Sequence, residues 1–287
     1  MRSMLFVPGD RPERFEKAAA SGADAVILDL EDAVASTNRP AARAAIRAFL
    51  ERSDRRVPLW VRINPIFTAD AALDLAGVLP GRPTGVLLPK ARQGEDVREL
   101  DRRLAAFEQA SGWPADGLRV IPLITETAGA LLAMGSFVPT PARVFGMTWG
   151  AEDLATELGA AGNRNAAGEY EPPYQLASAL CLITAAAASV APIDTVDTEI
   201  RDLEAVERRA RASRRSGYVA KMAIHPAQIA PLHAAFTPSA AEVAHARRIL
   251  EAFAAAPASG ALMLDGKLID RPHLLQAERV LAAAGER

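Results

Sequence analysis

Eight short runs rich in β-branched residues or leucine, each followed by sequence with helical spacing, predict an α/β protein: a (β/α)8 TIM barrel with a short C-terminal helical extension. Repeated strand–helix alternation implies a parallel sheet, because parallel neighbours need a crossover connection between them. Eight units in 287 residues favour closure into a barrel, and no GxGxxG follows any strand to suggest a dinucleotide fold.

In chain order the strands are expected near 3–7 (SMLFV), 24–30 (DAVILDL), 58–63 (PLWVRI), 84–88 (TGVLL), 118–124 (LRVIPLI), 143–147 (RVFGM), 191–195 (APIDT) and 219–224 (VAKMAI). The intervening helices are expected near 11–21, 39–52, 68–77, 94–111, 127–135, 151–159, 173–189 and 201–216. Asn38-Arg39-Pro40 puts a capping residue and a proline where a helix begins, and Gly112 and Gly217 punctuate helix ends. Residues 160–172 (AAGNRNAAGEYEP) are polar and rich in Gly, Asn and Ala, which predicts a mobile loop over the end of the sixth strand. Beyond the barrel (1–237), residues 238–287 read as a helix over 238–255, a Gly-containing turn pair (GALMLDGKLID) and a last helix over 272–284. This tail is too small for an independent domain; it folds against the barrel or reaches over a neighbouring subunit.

Composition excludes several classes. Half of the residues are hydrophobic and net charge is −2 with both signs interspersed, so nothing marks a surface for nucleic acid or an anionic membrane. Cys181 is the single cysteine, which rules out an internal disulfide and a Cys-based zinc cluster. It lies in the small-residue apolar stretch ASALCLITAAAASV, where inert packing is the better reading than a nucleophile. The apolar run at the N-terminus is too short for a signal-peptide core and ends in Pro8-Gly9. The longest apolar stretch falls short of the ~20 residues a membrane span needs, so a soluble cytoplasmic protein is expected.

The chemistry is expected where acids stand at the ends of apolar strands. In AVILDLEDAV, Asp29 and Glu31 share one face while Val26, Leu28 and Leu30 share the other, and Asp32 starts the next loop. Glu126 follows the fifth strand and Asp153 opens the sixth helix. Either acid alone is explained by helix capping. Together, at one rim of a parallel barrel, they point to a hard divalent metal with few protein ligands, which suits Mg2+. Arg62 ends the third strand and offers a planar fork for a substrate carboxylate, or for an internal pair with Asp29 or Glu31. Lys90 and Lys221 end the fourth and occupy the eighth strand; with a lowered pKa either would form a Schiff base with a keto substrate, although a surface or ion-paired lysine is the commoner case. For His225 a structural hydrogen bond weighs at least as much as catalysis. The glycine of VPGDRPERF offers a backbone N–H to a substrate oxygen or a simple turn.

The stretches SMLFVPGDRPERFEKA, GADAVILDLEDAV, VRINP, VLLPKA, ITETAGAL, WGAEDLATELG, KMAIHPAQI and GKLIDRPHLLQAERVL run from residue 3 to 281. In content and order they resemble the citrate lyase beta-subunit-like family of acyl-CoA lyases, among the aldolase barrels that handle pyruvate-like acids. The resemblance implies Mg2+ held by Glu126 and Asp153, Arg62 on the oxo-acid carboxylate, and Glu31 and Asp32 behind the ion, fixing its waters; Asp29, on the same strand face as Glu31, is expected to stand behind them or to pair with a basic residue inside the barrel. It also implies that Asp270 of KLIDRP serves as acid/base in a neighbouring subunit's site, and hence a homo-oligomer, a trimer or hexamer. One departure is Thr125, where the family more often carries isoleucine before the glutamate.

The reaction so implied is a reversible, Mg2+-dependent retro-Claisen cleavage of a 3-hydroxyacyl-CoA thioester such as citryl-CoA, citramalyl-CoA or malyl-CoA, giving acetyl-CoA and oxaloacetate, pyruvate or glyoxylate. Two alternatives stand beside it: a Schiff-base lysine aldolase acting through Lys90 or Lys221, and a non-catalytic subunit that binds CoA or an acyl carrier within a lyase complex.

Overall fold

The computed structural model, which describes residues 1–257 and 259–286, places eight parallel strands along the chain. They are β1 (Ser3–Pro8), β2 (Ala25–Asp29), β3 (Leu59–Arg62), β4 (Gly85–Leu88), β5 (Arg119–Pro122), β6 (Gly146–Met147), β7 (Ala191–Asp194) and β8 (Ala220–Ala223). The sheet order runs β5-β4-β3-β2-β1-β8-β7-β6. Its two ends meet through single bridges, Val120 with Val144 and Leu123 with Thr148, which complete a TIM-type barrel. Each expected run contains a strand. The sixth is the shortest, because the first half of its run joins β5 through the single Val120–Val144 bridge, with Phe145 N donating to Val120 O at 2.8 Å.

Side-chain alternation fills the interior. Met4, Ala25, Ile27, Trp60, Leu87, Ile121, Ile193, Ala220 and Met222 form one buried cluster, each drawn from every second residue of its strand. The outward residues between them pack beneath helices Arg39–Leu50, Ala69–Val78, Gly94–Ser111, Pro172–Ala187 and Leu203–Ser216, all close to their expected spans. The first expected helix is broken into a 3-10 turn, Pro12–Arg14, and a short helix, Phe15–Ala19; the fifth is cut to Ala128–Leu132. A helix over Ile229–Phe236 follows β8 and was not foreseen. Pro226 and Pro231 disguise it, although Pro231 sits in the first turn, where its missing N–H costs nothing.

A buried ionic network fixes the segments after β2 and β3. Asp74, fully buried, accepts from Arg43 Nε at 2.7 Å and from the backbone and side-chain nitrogens of Asn64 at 2.7 and 2.8 Å. Asn64 Nδ2 also donates to Leu30 O at 2.9 Å, which pins the chain just before the acids at 31 and 32.

Contacts group the chain into two compact units, Met1–Leu232 and His233–Arg287. In the second, helices Ala240–Ala255 and Arg271–Ala283 flank an antiparallel hairpin, β9 (Ala261–Leu264) with β10 (Lys267–Asp270). The expected turn pair is thus a true hairpin. Its tip is Asp265-Gly266, both at positive φ, a pair that a two-residue turn favours. Ala246, Ile249, Ile269 and Ala277 form its core. Among the described residues no helix is long and apolar enough to cross a membrane.

Candidate active site

Register sets the first contact. Asp29 and Arg62 are partners across β2 and β3, so their side chains emerge side by side on the inner face. Asp29 accepts from Arg62 Nε and NH2, both at 2.6 Å, and the guanidinium lies 4.9 Å from the centroid of the Phe6 ring. Asp29 also accepts from the backbone N–H groups of Glu31 and Ala33, turning the chain so that Glu31 stays buried at the rim. Glu31 Oε2 lies 2.9 Å from Arg62 NH1, an ion pair without hydrogen-bond geometry. Burial pushes the Glu31 carboxyl up to about 7, against the pull of Arg62 and Lys90.

Lys90, two residues past β4, brings the acids together. Its ammonium lies 2.6 Å from Glu31 Oε1, 2.9 Å from Asp32 Oδ2 and 3.1 Å from Asp153 Oδ1. Its backbone N–H donates to Glu126 Oε2 at 2.5 Å. The residue takes a left-handed conformation, φ +51°, uncommon for a side chain of this size. Burial works to lower the ammonium's pKa, and the bonds to Glu31 and Asp32 outweigh it, so Lys90 stays charged.

Glu126 is buried, and its pKa is driven well up by burial first, then by the negative charges of Asp153 and Glu31. Gly150 makes its seat: a Cβ there would stand 2.8 Å from Glu126 Cγ. Thr125 Oγ1 accepts from Gly150 N at 3.2 Å, so the polar departure from the family pattern ties this turn to the end of the β5 segment. Glu126, Asp153, Asp32, Asp29 and Arg62 line one cavity of about 290 Å3, walled by Phe6, Leu123, Trp149, Val196 and Met222. It opens at the C-terminal ends of the strands, where barrels of this type do their chemistry.

The expected residues therefore meet, with some in altered roles. Arg62 is engaged by Asp29 and Glu31, the internal pair named as its alternative, yet it lines the cavity and has N–H groups unspent. Lys221 does not reach the rim. It faces outward between inward Ala220 and Met222, and its ammonium is held by Asp194 at 2.6 Å. Lys90 does reach it, with its pKa shifted away from the neutral amine, so neither lysine fits a Schiff base. His225 caps the turn Pro226–Gln228, its Nδ1 accepting from Ala227 N at 3.2 Å. Gly9 N donates to Asp29 O at 2.8 Å, a structural use. Cys181 is fully buried and its thiol is pushed up by that burial. Asp270, in the second unit, caps helix Arg271–Ala283 and lies 2.5 Å from His273 Nδ1.

The sequence reading missed Trp149, whose Nε1 donates to Asp194 Oδ1 at 2.8 Å while the indole walls the cavity. It also missed Lys90 as the hub, since no pattern of residue types announces a left-handed lysine.

For a divalent ion the donor set is all oxygen. Among the described residues no three His, Cys, Asp or Glu side chains are arranged to hold an ion unaided. Glu126, its carboxyl pushed up by burial and then by the charge of Asp153, lines the cavity beside Asp153, with a buried Glu31 oxygen that accepts no hydrogen bond behind them; this all-oxygen set suits a cation that keeps most of its waters.

A (β/α)8 barrel with acids and a paired arginine at this rim defines a class, and the match is specific. Residues 2–226 match the HpcH/HpaI aldolase/citrate lyase family, and the chain belongs to it. It is 39% identical over 282 residues to the citrate lyase subunit beta-like protein of Mycobacterium tuberculosis, covering 98% of this chain and 95% of that one. Two proteins of Cereibacter sphaeroides, a (3S)-malyl-CoA thioesterase and an L-malyl-CoA/beta-methylmalyl-CoA lyase, are 32% and 33% identical over 290 and 305 residues, with 99% of this chain and 94% of each covered. Among solved structures, that of M. tuberculosis CitE in complex with magnesium, acetoacetate and coenzyme A matches with a TM-score of 0.83 at 38% identity, over 99% of this chain and 98% of that one.

Proposed function

We propose that this chain is a Mg2+-dependent carbon–carbon lyase that splits a 3-hydroxyacyl-CoA thioester into acetyl-CoA and a small 2-oxo acid by retro-Claisen chemistry. The observation that carries the reading is that Glu126, Asp153 and Arg62 line a single rim cavity. The magnesium, acetoacetate and coenzyme A bound by the M. tuberculosis relative support it.

Glu126 and Asp153 would hold the ion, which when bound supplies Lewis-acid polarisation of the substrate's carboxylate and C3 oxygen. Arg62, fixed in the plane of the Asp29 carboxylate, turns its remaining N–H groups to the substrate carboxylate and holds the C2–C3 bond in line for cleavage. The apolar wall of Phe6, Leu123 and Met222 excludes water from the breaking bond. The C3 hydroxyl loses its proton as C3 becomes the keto carbon. The bonding pair leaves as the thioester enolate, and C2 takes up a proton, so the balance closes. Asp270 is the acid/base group for this exchange, acting in a neighbouring copy of a trimer or hexamer.

Incubation of citryl-CoA, citramalyl-CoA and malyl-CoA with Mg2+ tests the reading. Wild type should release the oxo acid from one of them, EDTA should stop it, and Asp153→Ala and Asp270→Asn should each lower turnover by about 10²-fold or more. Free thiol without oxo acid would mark hydrolysis instead, the activity named for the thioesterase relative. Thioester binding with no turnover would favour the non-catalytic subunit.

A further inference from the structure

We propose that Lys90 is a positioning residue whose ammonium stands in for the divalent cation at Asp153 until the ion displaces it; this rests on the metal reading above. At the rim five carboxyl groups, Asp29, Glu31, Asp32, Glu126 and Asp153, meet two cationic side chains, Arg62 and Lys90. Arg62 is committed to Asp29 and Glu31, and Lys90 is the cation that meets Asp32 and Asp153. Its three N–H groups face three carboxylates, at distances that lengthen from Glu31 (2.6 Å) through Asp32 (2.9 Å) to Asp153 (3.1 Å). Asp153 is the weakest of the three contacts and the one assigned to the metal.

The left-handed backbone makes the arrangement possible. It turns the Lys90 N–H onto Glu126 while the side chain crosses to the acids of the β2 loop and to Asp153. Backbone and side chain thus divide the work. The N–H holds Glu126 whether or not an ion is present, and the ammonium yields Asp153 to the ion while keeping Glu31 and Asp32. A lysine in this place spares the metal-free protein the repulsion of acids that lie together beside an apolar wall.

Titration calorimetry with Mg2+ and thermal melting on the substrate-free full-length protein test the inference. Lys90→Met keeps the backbone bond and removes the competing charge. It should bind Mg2+ about threefold tighter than wild type, melt lower in EDTA, and gain more from saturating Mg2+. Lys90→Arg, whose fork grips carboxylates more firmly, should bind Mg2+ more weakly than wild type. A purely structural lysine would lower stability without tightening the ion. Unchanged or weaker Mg2+ binding in Lys90→Met overturns the stand-in role. If Lys90→Met does not fold, unchanged or tighter binding in Lys90→Arg overturns it equally. Should wild type take up no Mg2+, the metal reading itself falls and this role with it.

Discussion

Lys90 and Lys221 lie on the same barrel and both press an ammonium against carboxylate, yet their surroundings differ in balance. Lys221 meets one acid, Asp194, whose oxygens are also taken by Trp149 Nε1 at 2.8 Å, Ser213 Oγ at 2.6 Å and Thr195 N at 2.9 Å. The pair is buried, neutral and saturated. Lys90 meets three acids, with a fourth on its backbone, and leaves a surplus of carboxylate beside an open cavity. A balanced pair ties β7 to β8 and a helix. An unbalanced cluster calls for a further cation.

The largest effect should come from breaking the balanced site. Lys221→Ala leaves Asp194 charged, buried and short of its partner, and should cost about 3–5 kcal/mol of folding stability, read by denaturant melts. Replacing both members, Lys221→Met with Asp194→Asn, should recover a good part of that. Lys90→Met should cost clearly less, because its side chain is partly exposed and two of its three acids, Asp32 and Asp153, can rehydrate. Equal losses at the two lysines would erase the distinction between them.

Next comes Arg62, which couples the rim to the barrel interior. Arg62→Lys keeps the charge but loses the two parallel bonds to Asp29 that fix the plane of the fork. Turnover should fall about 10²-fold while Mg2+ affinity stays near wild type, since Glu126 and Asp153 are untouched. Loss of Mg2+ binding in Arg62→Lys would show that guanidinium and ion sites are not separate.

Much of this was legible in the chain. The eight strands stand out because inward and outward residues alternate between polar connections, and the acids stand out because apolar runs end on them. The register that sets Asp29 against Arg62 was foreseen only as one alternative, because residue spacing within a strand says nothing of its offset from the next. That Lys90 is ion-paired agrees with the commoner reading of such a lysine, but its place as the hub was not legible. Its role follows from a backbone torsion, and composition carries no signal for a left-handed lysine. Lys221 was placed in the eighth strand without a face, and its position between Ala220 and Met222 turns it outward, a matter of parity along one strand. The helix Ile229–Phe236 was hidden by prolines that its first turn tolerates.

The smallest expected effect is the most local, and it separates the metal's seat from the charge around it. Gly150 has an ordinary backbone torsion, so alanine meets no conformational penalty there. What alanine meets is Glu126, with Cγ 2.8 Å and Oε1 3.1 Å from the new Cβ. Glu126 is buried and has to shift, and a rotation that lengthens its bond to the Lys90 N–H is the expected response. No charge is added or removed and Lys90 keeps its three acids. Gly150→Ala should therefore weaken Mg2+ by about tenfold, about 1.4 kcal/mol, in the same calorimetric titration, with a far smaller change in melting temperature than Lys221→Ala. Wild-type Mg2+ affinity in Gly150→Ala would mean that the placement of Glu126 does not govern the ion, and that the surplus of negative charge alone does.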